Sequence, residues 1–242
     1  MKIVFLAADT IRSRAYAQAI IRAEIKLDHV ILYKDSIVRS GQSDYVLGFN
    51  ESDENGLYLF DPSVSLETSL SKLDDKFFTV DCGDVNSKEI ISILTTLQAD
   101  LVIFSGYGGE IVSALLLGLG PKFLHVHSGS LPKFPGSTTI FYEMMIEKKC
   151  AASSIFLSND IDAGEVLVVK NYPLPANNID IDYIYDPAIR ADLLCETLKA
   201  LKGGDIQLSK QVSDHKIGPN YFVIHPVLKH LSIMSTCIEF ET

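Results

Sequence analysis

Four short apolar runs constrain what this chain can become: KIVFLA at residues 2–7, HVILY at 29–33, LVIFS at 101–105 and FLHV at 123–126. Each is bounded by polar or turn-forming residues and is too short for an independent helix, so each reads as a buried strand. Between the first two, residues 12–27 place Tyr16, Ile20, Ala23 and Leu27 on one helical face. Asp9 and Thr10 stand just ahead, with side-chain oxygens able to cap a helix starting near Ile11. Further on, the pattern predicts a strand at 77–81 and helices at 87–97, 110–117 and 140–147. It then predicts strands at 152–157 and 165–170, and a helix at 189–201 stopped by Gly203-Gly204. Strands apolar on both faces, alternating with helices, imply an α/β fold with a mostly parallel sheet covered by helices on both sides. Periodicity weakens over residues 35–76, an expected irregular excursion with short helical pieces. The tail, 218–241, carries the β-rich run YFVIH and a final apolar segment.

Composition excludes several classes. At 242 residues and 47% hydrophobic, the chain can bury a full core. No apolar run reaches the roughly 18 residues needed to cross a bilayer, and the apolar start is too short and too weakly basic for a secretory signal, so a cytoplasmic protein with no membrane partner is expected. Cys82, Cys150, Cys195 and Cys237 show no CxxC pairing and read as buried or partly buried thiols. With 31 acidic against 21 basic residues and a net charge of −10, no clustered cations are present to neutralise phosphates, and no nucleic-acid partner is expected.

In parallel α/β sheets, sites form where loops leave the carboxyl ends of strands. Gly106-Tyr107-Gly108-Gly109 follows LVIFS; alone it is as readily a tight turn as a place where a flat ligand meets exposed main chain. His125 and His127 alternate along an extended segment, so both imidazoles point to one side ahead of the loop SGSLPKFPG. Histidine titrates near neutrality, and the strand is expected to stop here and project both rings into a crevice. Asn159-Asp160-Ile161-Asp162-Ala163-Gly164 lies between two expected strands and reads either as an acidic turn or as the source of a carboxylate that orients an imidazole.

In this order and spacing the three loops resemble the catalytic core of the folate-dependent formyltransferase family: Asn-x-His, a loop with Leu-Pro and Gly, then Asp-x-Gly. The matching text here is His125-Val126-His127, Leu131-Pro132 with Gly136, and Asp162-Ala163-Gly164. The resemblance covers about residues 101–169 and extends to the opening β-α-β unit. It implies a Rossmann-like sheet of the formyltransferase type with a small C-terminal extension: a catalytic domain at 1–175, and a helix and β-rich extension at 176–242. It also implies 10-formyltetrahydrofolate as co-substrate. His127 and Asp162 take the places of the family's histidine and aspartate, whereas His125 stands where the family has asparagine. An imidazole N–H can donate the same hydrogen bond to the formyl oxygen. His127 is expected to serve as general base or as hydrogen-bond donor, and Asp162 to position it or relay a proton. The pterin is assigned to Tyr107, Gly108, Gly109 and Ile111 and to Ser158 and Asp160.

The acceptor implied is a small amine. The family's tRNA enzymes carry a further basic domain for which this chain has neither length nor charge. HSGSLPKFPGSTT is similar to sugar formyltransferases that tailor pseudaminic-acid-type surface glycans, so a nucleotide-linked amino sugar is expected, with Lys133, Ser137, Thr138 and Arg190 as candidate contacts. Other readings remain open: a formyltetrahydrofolate hydrolase, a metal-dependent hydrolase using His125, His127 and Asp162, and a non-catalytic folate-binding relative. The oligomeric state is open too, a homodimer included.

Overall fold

A computed structural model of the chain describes residues 1–35, 52–176, 179–204 and 219–234. Seven strands appear: β1 (Ile3–Ala8), β2 (His29–Lys34), β3 (Phe78–Asp81), β4 (Leu101–Ser105), β5 (Lys122–Ser128), β6 (Cys150–Phe156) and β7 (Val166–Tyr172). Their order is β3-β2-β1-β4-β5-β6-β7, with β6 and β7 antiparallel and the neighbours from β3 to β5 parallel. The chain divides into two compact units, Met1–His125 and Val126–Thr242, within β5.

In the first unit every residue of β1 is buried, as befits the strand flanked by β2 and β4. Val4 pairs with His29 on one side and Val102 on the other. Helix α1 (Ile11–Arg22) starts where the capping residues place it, with the Thr10 side chain accepting from the Ser13 amide. It ends sooner than the periodicity of 12–27 suggests, because Glu24 takes a left-handed φ of 53° and the Ile25 amide turns back to the Ile20 carbonyl. Helices α2 (Leu66–Leu73) and α3 (Lys88–Leu97) follow, capped by Ser65 and Ser87. Residues 36–51 of the expected excursion lie outside the described residues; α2 is a helical piece of the remainder.

The helix expected at 110–117 is only α4 (Ala114–Leu117). Glu110 stays out of it because its carboxylate accepts from the amides of Tyr107 (2.9 Å) and Val85 (2.7 Å) and from the Tyr33 hydroxyl. Asn86 holds the next residues, donating to the Ile111 carbonyl and accepting from the Ser113 amide. Together these contacts fix residues 107–113 as a loop.

The second unit contains the end of β5, α5 (Thr139–Glu147), the β6–β7 hairpin, a π-turn (Ile181–Tyr185) leading into the 18-residue α6 (Asp186–Gly203), and α7 (Pro226–Met234). Strand β5 does not stop at the histidines but runs on to Ser128, so His125 and His127 lie inside it. Helix α6 is tied to this strand by Arg190, whose Nε and Nη2 donate to the Val126 carbonyl at 2.9 and 2.6 Å. YFVIH supplies only a single bridge, Tyr221 to Gly136, and the apolar residues after it form α7. The final segment beyond 234, with Cys237, lies outside the described residues. Cys150 and Cys195 are buried thiols, Cys195 being pushed up to about 12 by burial, while Cys82 is partly exposed. Among the described residues no helix is long and apolar enough to cross a membrane.

Candidate active site

In the second unit, β5 delivers His127 into the interior, 4% exposed. Its Nδ1 stands 3.4 Å from Asp162 Oδ1, and its Nε2 lies 2.7 Å from the Phe134 carbonyl and 3.2 Å from Thr139 Oγ1. The structure therefore unites His127 and Asp162, two residues that the sequence separates by a helix, a whole strand and the loops around them.

Three glycines make this arrangement possible. Gly136 has a φ of +113°, and a Cβ there would fall 2.0 Å from the Tyr221 carbonyl oxygen; its amide donates to Asp162 Oδ2 at 2.8 Å. Gly164 packs so tightly that a Cβ would lie 1.7 Å from the Phe156 carbonyl oxygen. Gly129, with a φ of +122°, turns the chain out of β5 beside Thr139. Asp162 itself adopts a φ of 52°, a conformation that aspartate tolerates better than most side chains. Its two oxygens are thus divided between an imidazole nitrogen and a main-chain amide, and its side chain is 11% exposed.

Around this pair, the loop after β5 is clamped from two sides. Ser153 on β6 donates to the Gly129 carbonyl (2.7 Å) and accepts from the Leu131 amide (2.9 Å). Glu143 on α5 accepts from the amide and hydroxyl of Ser130 at 3.0 and 2.6 Å. Burial holds the Glu143 carboxyl above the ordinary range, although the Ser130 hydrogen bonds and Lys149 act against that rise. Neither Thr139 nor Glu143 was singled out from sequence. The available signal was the spacing of Thr139, Glu143 and Glu147, four residues apart in the mostly apolar TIFYEMMIE, which a helix places on one face.

The other expected site residues are placed as follows. His125 belongs to the first unit, where its ring lies 6.0 Å from that of Phe104. Tyr107 packs edge-on against Tyr33, and burial raises its hydroxyl pKa. Gly109 needs its φ of +78°, Gly106 has no room for a side chain against Phe104, and Gly108 faces open space. Ile111 is 60% exposed. In the second unit, the Ser158 hydroxyl donates to the Asp160 carbonyl at 3.1 Å. Lys133 pairs with Glu147 at the surface. The Ser137 amide donates to the Tyr221 carbonyl, and Thr138 Oγ1 accepts from the Ile224 amide. Arg190 is buried against β5, with Nη1 3.2 Å from Asp186. Among the described residues, no three His, Cys, Asp or Glu side chains gather as metal ligands.

No family model matches the chain. Its similar sequences include the methionyl-tRNA formyltransferase of Ligilactobacillus salivarius, 26% identical over 164 residues, which are 66% of this chain and 50% of that protein. The enzyme of the same name from Streptococcus pyogenes serotype M6 is 31% identical over 137 residues, 55% of this chain and 43% of that protein. A third, from Pediococcus pentosaceus, is 28% identical over 121 residues, covering 49% and 38%. The chain thus spans half or less of the length of these relatives. Among solved structures, a sugar N-formyltransferase from Shewanella sp FDAARGOS_354 matches with a TM-score of 0.59 at 15% identity, covering 100% of this chain and 90% of that one. Phosphoribosylglycinamide formyltransferase from Streptococcus pneumoniae TIGR4 matches at 0.55 and 19%, covering 83% and 98%. At these identities the structural likeness establishes the fold, a mostly parallel Rossmann-like α/β sheet.

Proposed function

We propose that the chain, which is similar to methionyl-tRNA formyltransferases over about half to two thirds of its length, is a folate-dependent formyltransferase that transfers a formyl group from 10-formyltetrahydrofolate to the amine of a small acceptor. The observation that carries this reading is the buried His127–Asp162 pair, set between the amide of Gly136 and the carbonyl of Phe134. The donor supplies an activated formyl group. The chain has to accept a proton from the attacking amine and donate a hydrogen bond to the oxygen on which negative charge grows.

In this proposal Asp162 takes the amine's proton, directly or through one water, and His127 holds that carboxylate in place and shares its proton. His125 serves as the oxyanion's donor in place of the family's asparagine. The main chain of Tyr107, Gly108, Gly109 and Ile111 and of Ser158 and Asp160 holds the pterin. The fit rests on Gly108, where open space stands in place of a side chain on a loop braced by Glu110 and Asn86. The proposal keeps residues 1–175 as the catalytic part and 176–242 as its extension.

For the acceptor we favour a nucleotide-linked amino sugar, of the kind found in pseudaminic-acid-type glycan pathways, in a cytoplasmic reaction. The net charge of −10 and the sugar N-formyltransferase among the structural likenesses support this choice over tRNA. Ser137 and Thr138, at the start of α5, and Lys133 are its proposed contacts; the part proposed for Arg190 is to hold β5 beneath them. The test is incubation with 10-formyltetrahydrofolate and a panel of amino-sugar nucleotides, read by mass. One added formyl group on a sugar amine supports the reading. Formate released at the same rate without any amine identifies a hydrolase, and donor binding with neither product identifies a non-catalytic relative.

A further inference from the structure

The hydroxyl of Thr139 has one proton, and its surroundings decide where that proton goes. Thr139 Oγ1 lies within hydrogen-bond distance of the Ser128 carbonyl, which can only accept, so the proton points there. Toward His127 Nε2, 3.2 Å away, the same oxygen presents only lone pairs. The Phe134 carbonyl, 2.7 Å from Nε2, is likewise an acceptor. Two acceptors converge on one ring nitrogen, and a lone pair on Nε2 would face both. On the other side, Nδ1 faces the Asp162 carboxylate at 3.4 Å, which by itself would favour the opposite tautomer with the proton on Nδ1.

We propose that Thr139 is a positioning residue that keeps a proton on His127 Nε2 and so confines proton exchange by this imidazole to Nδ1 and Asp162. Thr139 and Glu143 lie four residues apart on α5 and are both fully buried. Thr139 fixes the ring and the Ser128 carbonyl, while Glu143 fixes Ser130 at the root of the loop that carries the Phe134 carbonyl. One helix face thereby sets both acceptors on Nε2. The consequence is specific: His127 does not offer Nε2 as a base, and the group that gains and loses a proton beside the substrate is Asp162, coupled to Nδ1. This kinetic consequence rests on the formyl-transfer reading; the tautomer does not.

The test uses the full chain labelled with ¹⁵N-histidine, the His127 ring signals being assigned by their loss in His127→Gln. In the wild-type protein, Nε2 is expected to keep the nitrogen shift of a protonated site across the whole pH range, with any titration confined to Nδ1. In Thr139→Val, Nε2 is expected to gain unprotonated character at high pH, and Thr139→Ser to restore the wild-type pattern. Thr139→Ala removes the same oxygen without placing a methyl there and reads the proposal equally well if the valine variant does not fold. An unprotonated Nε2 in the wild type overturns the proposal, as does a wild-type Nε2 signal in the folded valine or alanine variant. With donor and acceptor supplied, the valine variant is expected to lose about tenfold in kcat with little change in the KM for the donor, part of the roughly 100- to 10,000-fold that positioned proton transfer contributes, and the serine variant to recover most of it. Since the ring signals need no substrate, an incorrect acceptor leaves the tautomer result standing and removes only the kinetic effect.

Discussion

At residue scale, glycine is where this site is most exposed to substitution. Gly164→Ala would force a methyl into the Phe156 carbonyl, and Gly136→Ala would add left-handed strain to a clash with Tyr221. Each is expected to cost roughly 2–4 kcal/mol of stability by overpacking and backbone strain, measured by denaturant unfolding. Gly108 has open space and no positive φ, so Gly108→Ala is expected to change stability by less than about 0.5 kcal/mol while weakening donor binding. Unchanged donor affinity in that variant would remove Gly108 from the proposed pterin site. Sequence alone could mark His127 and Asp162 as a histidine and a carboxylate worth pairing. It could not mark Thr139, because a threonine ahead of an apolar helix reads as a routine boundary residue, and its meaning depends on Ser128 and His127 folding back against it.

At element scale, α5 and the loop it braces behave as one unit, and Glu143 makes that unit sensitive to pH. Its carboxyl is held above the ordinary glutamate range by burial, so the folded state binds this proton more tightly than the unfolded chain does. The stability that Glu143 contributes is therefore greatest at low pH and is lost as pH rises through its elevated folded value. Glu143→Gln, which still offers an acceptor to Ser130, is expected to remove this loss. The stability difference between variant and wild type should grow in the variant's favour as pH rises out of the ordinary carboxylate range, and then level off. Denaturant midpoints across that range check the sign, and a difference independent of pH would contradict it. Most elements were legible from their periodicity and caps, among them β1, β4, α3 and the start of α1 at Thr10. Those misread share a physical cause. Glu110 has good helix propensity but accepts from the nearby Tyr107 amide and from the distant Val85 amide and Tyr33 hydroxyl, which keeps it in a loop, and the β-rich YFVIH makes a single bridge while the apolar residues after it pack as a helix against α5.

At the scale of the whole molecule, the strand order carries the argument: β1 neighbours both β2 and β4, reversing direction of growth there, and loops at the carboxyl ends of such strands are where ligands bind in this fold class. The alternation of short apolar runs with helical segments was enough to reach this architecture. The boundary between the two compact units falls within β5, an uninterrupted strand with no linker composition to announce it. The proposed role of the His127–Asp162 pair in formyl transfer is checked by comparing donor affinity with turnover in wild type, His127→Ala and Asp162→Ala under the same conditions. Both variants are expected to fold and bind 10-formyltetrahydrofolate much as the wild type does while transfer falls by about 100-fold or more. Near-normal transfer by both variants would contradict it.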